Sequence, residues 1–457
     1  MKPGQTQHDI GFRDIIRSLS SLLSLIFFLS LFTSCTDEIV PKPFYPRTDH
    51  EAYAYALELA NLNGTALVKD WKKAAKYALE HPVQISSPFE ETVYLDPSKA
   101  ESIGYRFDVK RGQKVMIDVK AALPDSLKLF IDLYRINNDS LKDWKHVASA
   151  DQYTYQLGFE PRRDAHYILR FQSELLRGGK FTISIKKVAA LVFPVAGKNS
   201  QAIRSFFGDP RDGGRRDHHG VDIFAKRHTP IIAPTEGYIR RVDTTKLGGR
   251  VIWLFDSKRN QHLYFAHLED QLVSRNTKVQ PGDTIGTVGN TGNARRTPPH
   301  LHFGIYSRGP VNPFHFIAET SIDVEDLEAD VELLGNWIRA KQKLFLKADL
   351  ANETVLLDTL KQHDIMKVIG ANTSFYKVQM PDNMIGYVHE SKTEIVKQPI
   401  LEIEGKQIIE LLEAPKVTSL TKKRLNIGEQ VSVLGKHKAY WYIKTSMGQI
   451  GWIRSIQ

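Results

Sequence analysis

Between about residues 90 and 188 the apolar residues of this chain fall at every second position. Ile103, Tyr105, Phe107 and Val109 make one such row, Val115, Ile117 and Val119 another, and Arg111-Gly112 lies between them as a turn. Successive side chains of a strand point to opposite faces, so a period of two specifies sheet with one face buried. Similar runs lie near Phe130 to Ile136, Tyr167 to Phe171 and Phe181 to Ile185, and several short strands with turn signals predict a β-sandwich over 86–188. No cluster of catalytic residue types falls inside it, so its apolar rows serve packing.

The flanking segments have different periods. From His50 to His81 the pattern is helical: Leu67, Trp71, Ala74 and Ala78 share a face, Gly64 separates two halves and Pro82 stops the run. This predicts a helical hairpin over 50–85. Near the C-terminus LKQHDIMKVIG (360–370) is echoed 65 residues later by LNIGEQVSVLG (425–435). The offset persists, since Phe375-Tyr376 with Gly386-Tyr387-Val388 matches Trp441-Tyr442 with Gly451-Trp452-Ile453. A repeat of short alternating strands predicts two small β-barrels, 333–396 and 397–457, behind an acidic linker at 321–332. The whole is a mainly β, multidomain chain, as 457 residues exceed what one core organises.

The N-terminus has targeting character. Lys2, Arg13 and Arg17 precede an apolar run from Leu19 to Phe32, followed by Thr33-Ser34-Cys35. A basic region, a short apolar region and small residues are signal-peptide features. Cys35 is the only cysteine, which excludes an intramolecular disulfide and any cysteine-peptidase site inside a folded domain. Its position resembles the lipobox of bacterial lipoproteins, with Phe32 where that pattern usually has Leu. The resemblance implies a signal over 1–35, an acylated Cys35 that anchors the chain to a membrane, and a tether at 36–49 marked by Pro41, Pro43 and Pro46.

The net charge of +10 favours an anionic partner, and 192–318 alone holds 18 Lys+Arg against 10 Asp+Glu, or +8. An export signal and the lack of an Arg-rich helix or stacking motif argue against nucleic acid.

Three histidine segments lie in that basic region: His218-His219-Gly220-Val221-Asp222, Leu263-Tyr264-Phe265-Ala266-His267-Leu268 and Pro299-His300-Leu301-His302-Phe303. In the third, Leu301, Phe303 and Ile305 alternate, so His300 and His302 share the other face of a strand. If the first segment is extended, His218 and Asp222 share a side and His219 points away, which favours His218 as a ligand. Two imidazoles and one carboxylate suit Zn²⁺, and three protein ligands leave a fourth position for water, the catalytic arrangement. His267 and His300 remain as candidates for general base and oxyanion donor.

Together the segments resemble the lysostaphin-type, or LytM-like, zinc endopeptidases, which carry H-x-G-x-D, Y-x-H-L and H-L-H-F in this order. Here the second motif has one extra residue between Tyr264 and His267, and Arg295-Arg296-Thr297-Pro298-Pro299 replaces a small Gly-containing turn. The resemblance covers about 189–320 and implies an antiparallel β peptidase domain, with His218, Asp222 and His302 as zinc ligands and His267 and His300 as catalytic residues. Region 86–188 resembles the jelly-roll-like accessory domains of secreted peptidases, and the repeat resembles bacterial Src-homology-3-like barrels. The implied function is hydrolysis of peptidoglycan cross-link peptides in the cell envelope, by a lipoprotein at the outer membrane facing the periplasm. The alternative is a non-catalytic, wall-binding regulator on the same fold. Such members lack His or Asp in the three segments, and all five residues are present here. Arg215, Arg216, Arg295 and Arg296 stand beside the motifs as candidates for meeting peptide carboxylates.

Overall fold

The computed structural model describes residues 48–457 apart from 122–126, 138–140, 320–326, 351–354 and 456–457. The expected signal, Cys35 and nearly all of the tether lie outside these residues, as does half of the acidic linker, 321–326.

Two helices open the described chain: α1 (Asp49–Leu59) and α2 (Ala66–Glu80). Thr48 and Thr65 cap them, accepting from the backbone N–H of Glu51 and Val68. The buried stripe of α2 is Val68, Trp71, Ala75, Ala78 and Leu79. It is turned from the expected stripe, because Leu67 and Ala74 face a groove of about 1040 Å³ beside the helix rather than the sheet. Trp71 is fixed at both ends of its residue: its indole N–H donates to Ser173 O (2.9 Å) and its carbonyl accepts from Gln172 Nε2 (3.0 Å). His50 stacks on the Trp71 ring at 4.4 Å and bonds Gln172 Oε1 at 2.9 Å.

The next strands are β1 (Phe89–Leu95), β2 (Ser102–Val109), β3 (Gln113–Ala121), β4 (Leu129–Ile136), β5 (Ala165–Ser173) and β6 (Gly179–Ala189). β2, β5 and β4 are neighbours in a five-stranded sheet, while β1, β6 and β3 are neighbours in a second sheet. The alternating rows meet between the sheets: Tyr105, Phe107, Ile131 and Phe171 from one face Val93, Ile117, Phe181 and Ile183 from the other, all about 1% exposed or less.

The basic region forms a ten-stranded antiparallel sheet. Its main strands are β7 (Ile203–Ser205), β8 (Val221–Phe224), β9 (Gly237–Thr245), β10 (Gly249–Asp256), β11 (Gln261–Gln271), β12 (Thr284–Val288) and β13 (His300–Tyr306). The path β7-β8-β13-β11-β10-β9 places the second and third histidine segments on adjacent strands. One face carries the core, with Ile223, Ile252, Leu254, Leu263, Phe265, Leu301, Phe303 and Ile305 all fully buried. By parity the even-numbered residues of β13 occupy the opposite, open face.

The repeat forms two matching three-strand meanders: β14 (Ile365–Asn372), β15 (Phe375–Gln379) and β16 (Ile385–His389), then β17 (Gln430–His437), β18 (Tyr440–Thr445) and β19 (Ile450–Arg454). A bulge lies between Val368 and Gly370 and again between Val433 and Gly435, which is the same 65-residue offset. The first meander does not stand apart from the sandwich. β14 pairs with β1 (Thr92↔Ala371, Val93↔Gly370), so one continuous eleven-stranded sheet runs through both regions. Below that seam Glu91 and Lys377 form a buried ion pair at 3.2 Å, and the hydroxyls of Tyr105 and Tyr387 also donate to the Glu91 carboxylate.

Candidate metal centre and active-site face

Asp222 on β8 stands directly across from His302 on β13, and Phe224 across from His300. His302 Nδ1 lies 3.0 Å from Asp222 Oδ1. His218 comes to the same point by another route. It is outside β8, in the segment after the small hairpin Pro210–Arg211/Arg216–Asp217, so the extended chain expected over 218–222 does not form. Backbone bonds from Gly208 N to His218 O and from His218 N to Asp209 O, both 2.9 Å, hold it there. Gly220 lets the chain lie against β13, since a Cβ there would come 2.6 Å from Phe303 O and 2.8 Å from the His302 ring. His218 Nε2 thereby sits 3.0 Å from Asp222 Oδ1 and 2.9 Å from His302 Nδ1. His218 is buried and His219 exposed.

Hydrogen bonds orient this trio. His218 Nδ1 lies 2.8 Å from Phe206 O, which places the proton on Nδ1 and leaves Nε2 as a lone pair facing the cluster. Burial pushes the Asp222 carboxyl up, but the His218 and His302 rings, each 3.0 Å from Oδ1, outweigh it and hold the group well below the carboxylate range. Burial also lowers His302 against the upward pull of Asp222.

Sequence reasoning missed Arg211. Its guanidinium donates to Asp222 Oδ2 (3.0 Å) and to Ser205 Oγ, which in turn donates to Asp209 Oδ2 (3.0 Å). The contact depends on a hairpin whose fold has no spacing signature. Arg215, Arg216, Arg295 and Arg296 are exposed.

The two remaining histidines stand next to it. At a bulge in β11, Ala266 and His267 occupy the interval between the pairs Phe265↔Ile252 and Leu268↔Arg250, and His267 has φ +64°. This extra residue re-aims the His267 ring toward β13, 5.1 Å from the His300 ring and 6.0 Å from that of His302. His267 Nδ1 is 2.9 Å from Thr291 O, and His300 Nδ1 is 2.9 Å from Pro298 O. Each ring thus spends its Nδ1 proton on a carbonyl and keeps Nε2 available. Burial, then the neighbouring charges of His300 and His302, lowers His267 to about 4. His228 and His262 are exposed and outside the cluster.

Residues 216–313 match the model of peptidase family M23. This segment is a family M23 peptidase domain. Among curated proteins, the M23-bearing chain is 37% identical over 122 residues to an L-Ala–D-Glu endopeptidase of Bacillus subtilis, covering 25% of this chain and 37% of that protein. It is 33% identical over 103 residues to the peptidoglycan DD-endopeptidase ShyC of Vibrio cholerae, covering 22% of each. The catalytic domain of lysostaphin from Staphylococcus simulans aligns with 25% of this chain and 89% of its own, at 30% identity and a TM-score of 0.23. The chain therefore spans little more than a third of the length of the first of these curated relatives and about a fifth of the second.

Proposed function

We propose that this M23 chain is a zinc-dependent endopeptidase that cuts amide bonds in the cross-link peptides of peptidoglycan. One observation carries the reading: His218 Nε2, Asp222 Oδ1 and His302 Nδ1 converge within 4.8 Å of one another, beside two further histidines. The trio fits the metal. Tetrahedral ligands about 2.0–2.2 Å from zinc lie roughly 3.3 Å apart, within a few tenths of an ångström of the separations here. A zinc ion in this site supplies Lewis acidity for the scissile carbonyl and acidifies a water.

The chain's own residues do the rest. Arg211 occupies Oδ2 of Asp222 and leaves Oδ1 for the metal. His267, unprotonated at neutral pH, accepts a proton at Nε2 and can return it to the departing amine. His300, pinned to Pro298 O, stabilises charge on the substrate oxygen when its Nε2 carries a proton. The named activities of the two curated relatives support peptidoglycan as substrate. The sequence around Cys35 supports a lipid anchor in the cell envelope, which loss of fatty-acid labelling in Cys35→Ala tests.

The deciding experiment measures bound metal and peptide release from purified wall for wild type and His302→Ala. Stoichiometric zinc and wall cleavage in wild type, both lost in the variant, are expected. A zinc-loaded wild type that releases no fragments overturns the enzyme reading in favour of a wall-binding regulator.

A further inference from the structure

The open face of the peptidase sheet carries more than the histidines. Strand register sets Trp253, Tyr264 and Gly304 in one row across β10, β11 and β13, and Phe255, His262 and Tyr306 in the next. His302, opposite Ala266, begins the row before them. From His302 to Tyr306 is four residues of strand, about 13 Å. Aromatic rings fill that distance without a break. Tyr264 is 5.8 Å from the His302 ring, Trp253 4.4 Å from Tyr264, Tyr306 5.3 Å from Trp253, and Phe255 5.0 Å from His262. At the far end the Arg240 guanidinium lies 5.3 Å over Phe255.

Core packing does not account for these rings. The core of this sheet is on the other face, with its residues fully buried, whereas Trp253, Phe255, Tyr264 and Tyr306 are half-buried and His262 is exposed. Gly304, beside Tyr264, is buried: a Cβ there would come 3.0 Å from the Tyr306 ring and 3.1 Å from His219 O, so the Tyr306 ring and the His218 segment close over that position and the exposed ring faces lie on either side of it. Among the described residues, the indole N–H of Trp253 and the hydroxyl of Tyr306 have no hydrogen-bond partner. The rings are tilted to one another, Trp253 by 39° to Tyr264 and by 49° to Tyr306, and single ring faces edged by unspent donors suit a ligand with an apolar face and a polar rim. A pyranose ring has that form, with C–H bonds on its faces and hydroxyls around its edge. An extended peptide lacks such a face.

We propose that Trp253, Tyr264 and Tyr306 form an extended subsite that seats a sugar ring of the glycan strand bearing the cut peptide. This rests on the endopeptidase reading for the identity of the ligand, and the row of rings is continuous with the candidate metal centre through Tyr264 and His302.

The test compares KM for a cross-linked stem peptide with and without its attached disaccharide, in zinc-loaded wild type, Trp253→Ala and Trp253→Phe. Wild type is expected to prefer the glycosylated substrate by about tenfold in KM, and Trp253→Ala to lose that preference while Trp253→Phe keeps most of it. Equal KM values in wild type, or a preference that survives in Trp253→Ala, overturn the subsite. Calorimetric titration with the free disaccharide keeps the two readings apart. If wild type cuts neither substrate, the endopeptidase reading fails. Saturable heat that is present in wild type and lost in Trp253→Ala then still supports the sugar subsite, and no heat overturns it.

Discussion

Asp222 and Arg211 are joined by a 3.0 Å hydrogen bond from the guanidinium to Oδ2, the carboxylate oxygen that does not face His218 and His302. The bond locks the carboxylate plane and separates its two oxygens into one for the scaffold and one for the cluster. Groups that orient ligands in this way typically change metal affinity by about 10–100-fold when removed. Arg211→Ala is expected to weaken zinc binding within that range, with Arg211→Lys recovering part of it. Competition against a chromophoric chelator measures this without reference to activity.

Gly220 governs the approach of the His218 segment. A methyl group at residue 220 would press into Phe303 O and the His302 ring. Gly220→Ala is expected to displace His218 from the trio and to lower wall cleavage by roughly 10²-fold or more, the scale of a misplacement near 1 Å. Zinc content and peptide release report the two effects together.

The Glu91–Lys377 pair predicts an asymmetry. Both groups are buried, 0% and 4% exposed at the side chain. Removing one partner strands the other's charge, so Lys377→Ala is expected to cost roughly 3–5 kcal/mol. A double replacement, Glu91→Gln with Lys377→Met, removes both charges while keeping an acceptor for the Tyr105 and Tyr387 hydroxyls, and is expected to cost less. Chemical denaturation, followed with hydrogen exchange at β1 and β14, distinguishes the two variants.

His50 makes the first helix sensitive to acid. Burial, then the charge of Arg170, lowers its pKa from 6.5 to about 3. The unfolded chain takes up a proton near 6.5 that the folded chain refuses until about 3. Stability contributed by neutral His50 is therefore complete above pH 6.5 and is lost progressively as pH falls toward 3, by roughly 5 kcal/mol at most. Exchange of α1 amides is expected to accelerate over that window, and His50→Phe to flatten the dependence.

Strand parity made much of the site legible beforehand. The even spacing of His300 and His302 put both on the open face, and Asp222 arrived opposite His302 in register. His218, and not His219, comes to Asp222 and His302, though through a different geometry from the one expected, because the segment leaves the strand at Gly220 instead of extending. Arg211 and the aim of His267 were not legible. One depends on how a hairpin folds back, and the other on a bulge that appears in sequence only as an extra residue after Tyr264. The mainly β character followed from alternation. Alternation does not reveal which edges pair, and so it left the β1–β14 seam unseen.

That seam changes what the duplicated C-terminal region is to the molecule. Two of its hydrogen-bonded partners, Gly370 and Ala371, complete the edge of a strand that belongs to the sandwich more than 270 residues earlier. A chain cut after the peptidase domain would bare that edge and leave Glu91 without its lysine, an invitation to self-association. The first copy of the repeat has become part of the scaffold's fabric, so trimming this protein to a minimal enzyme begins with redesigning β1.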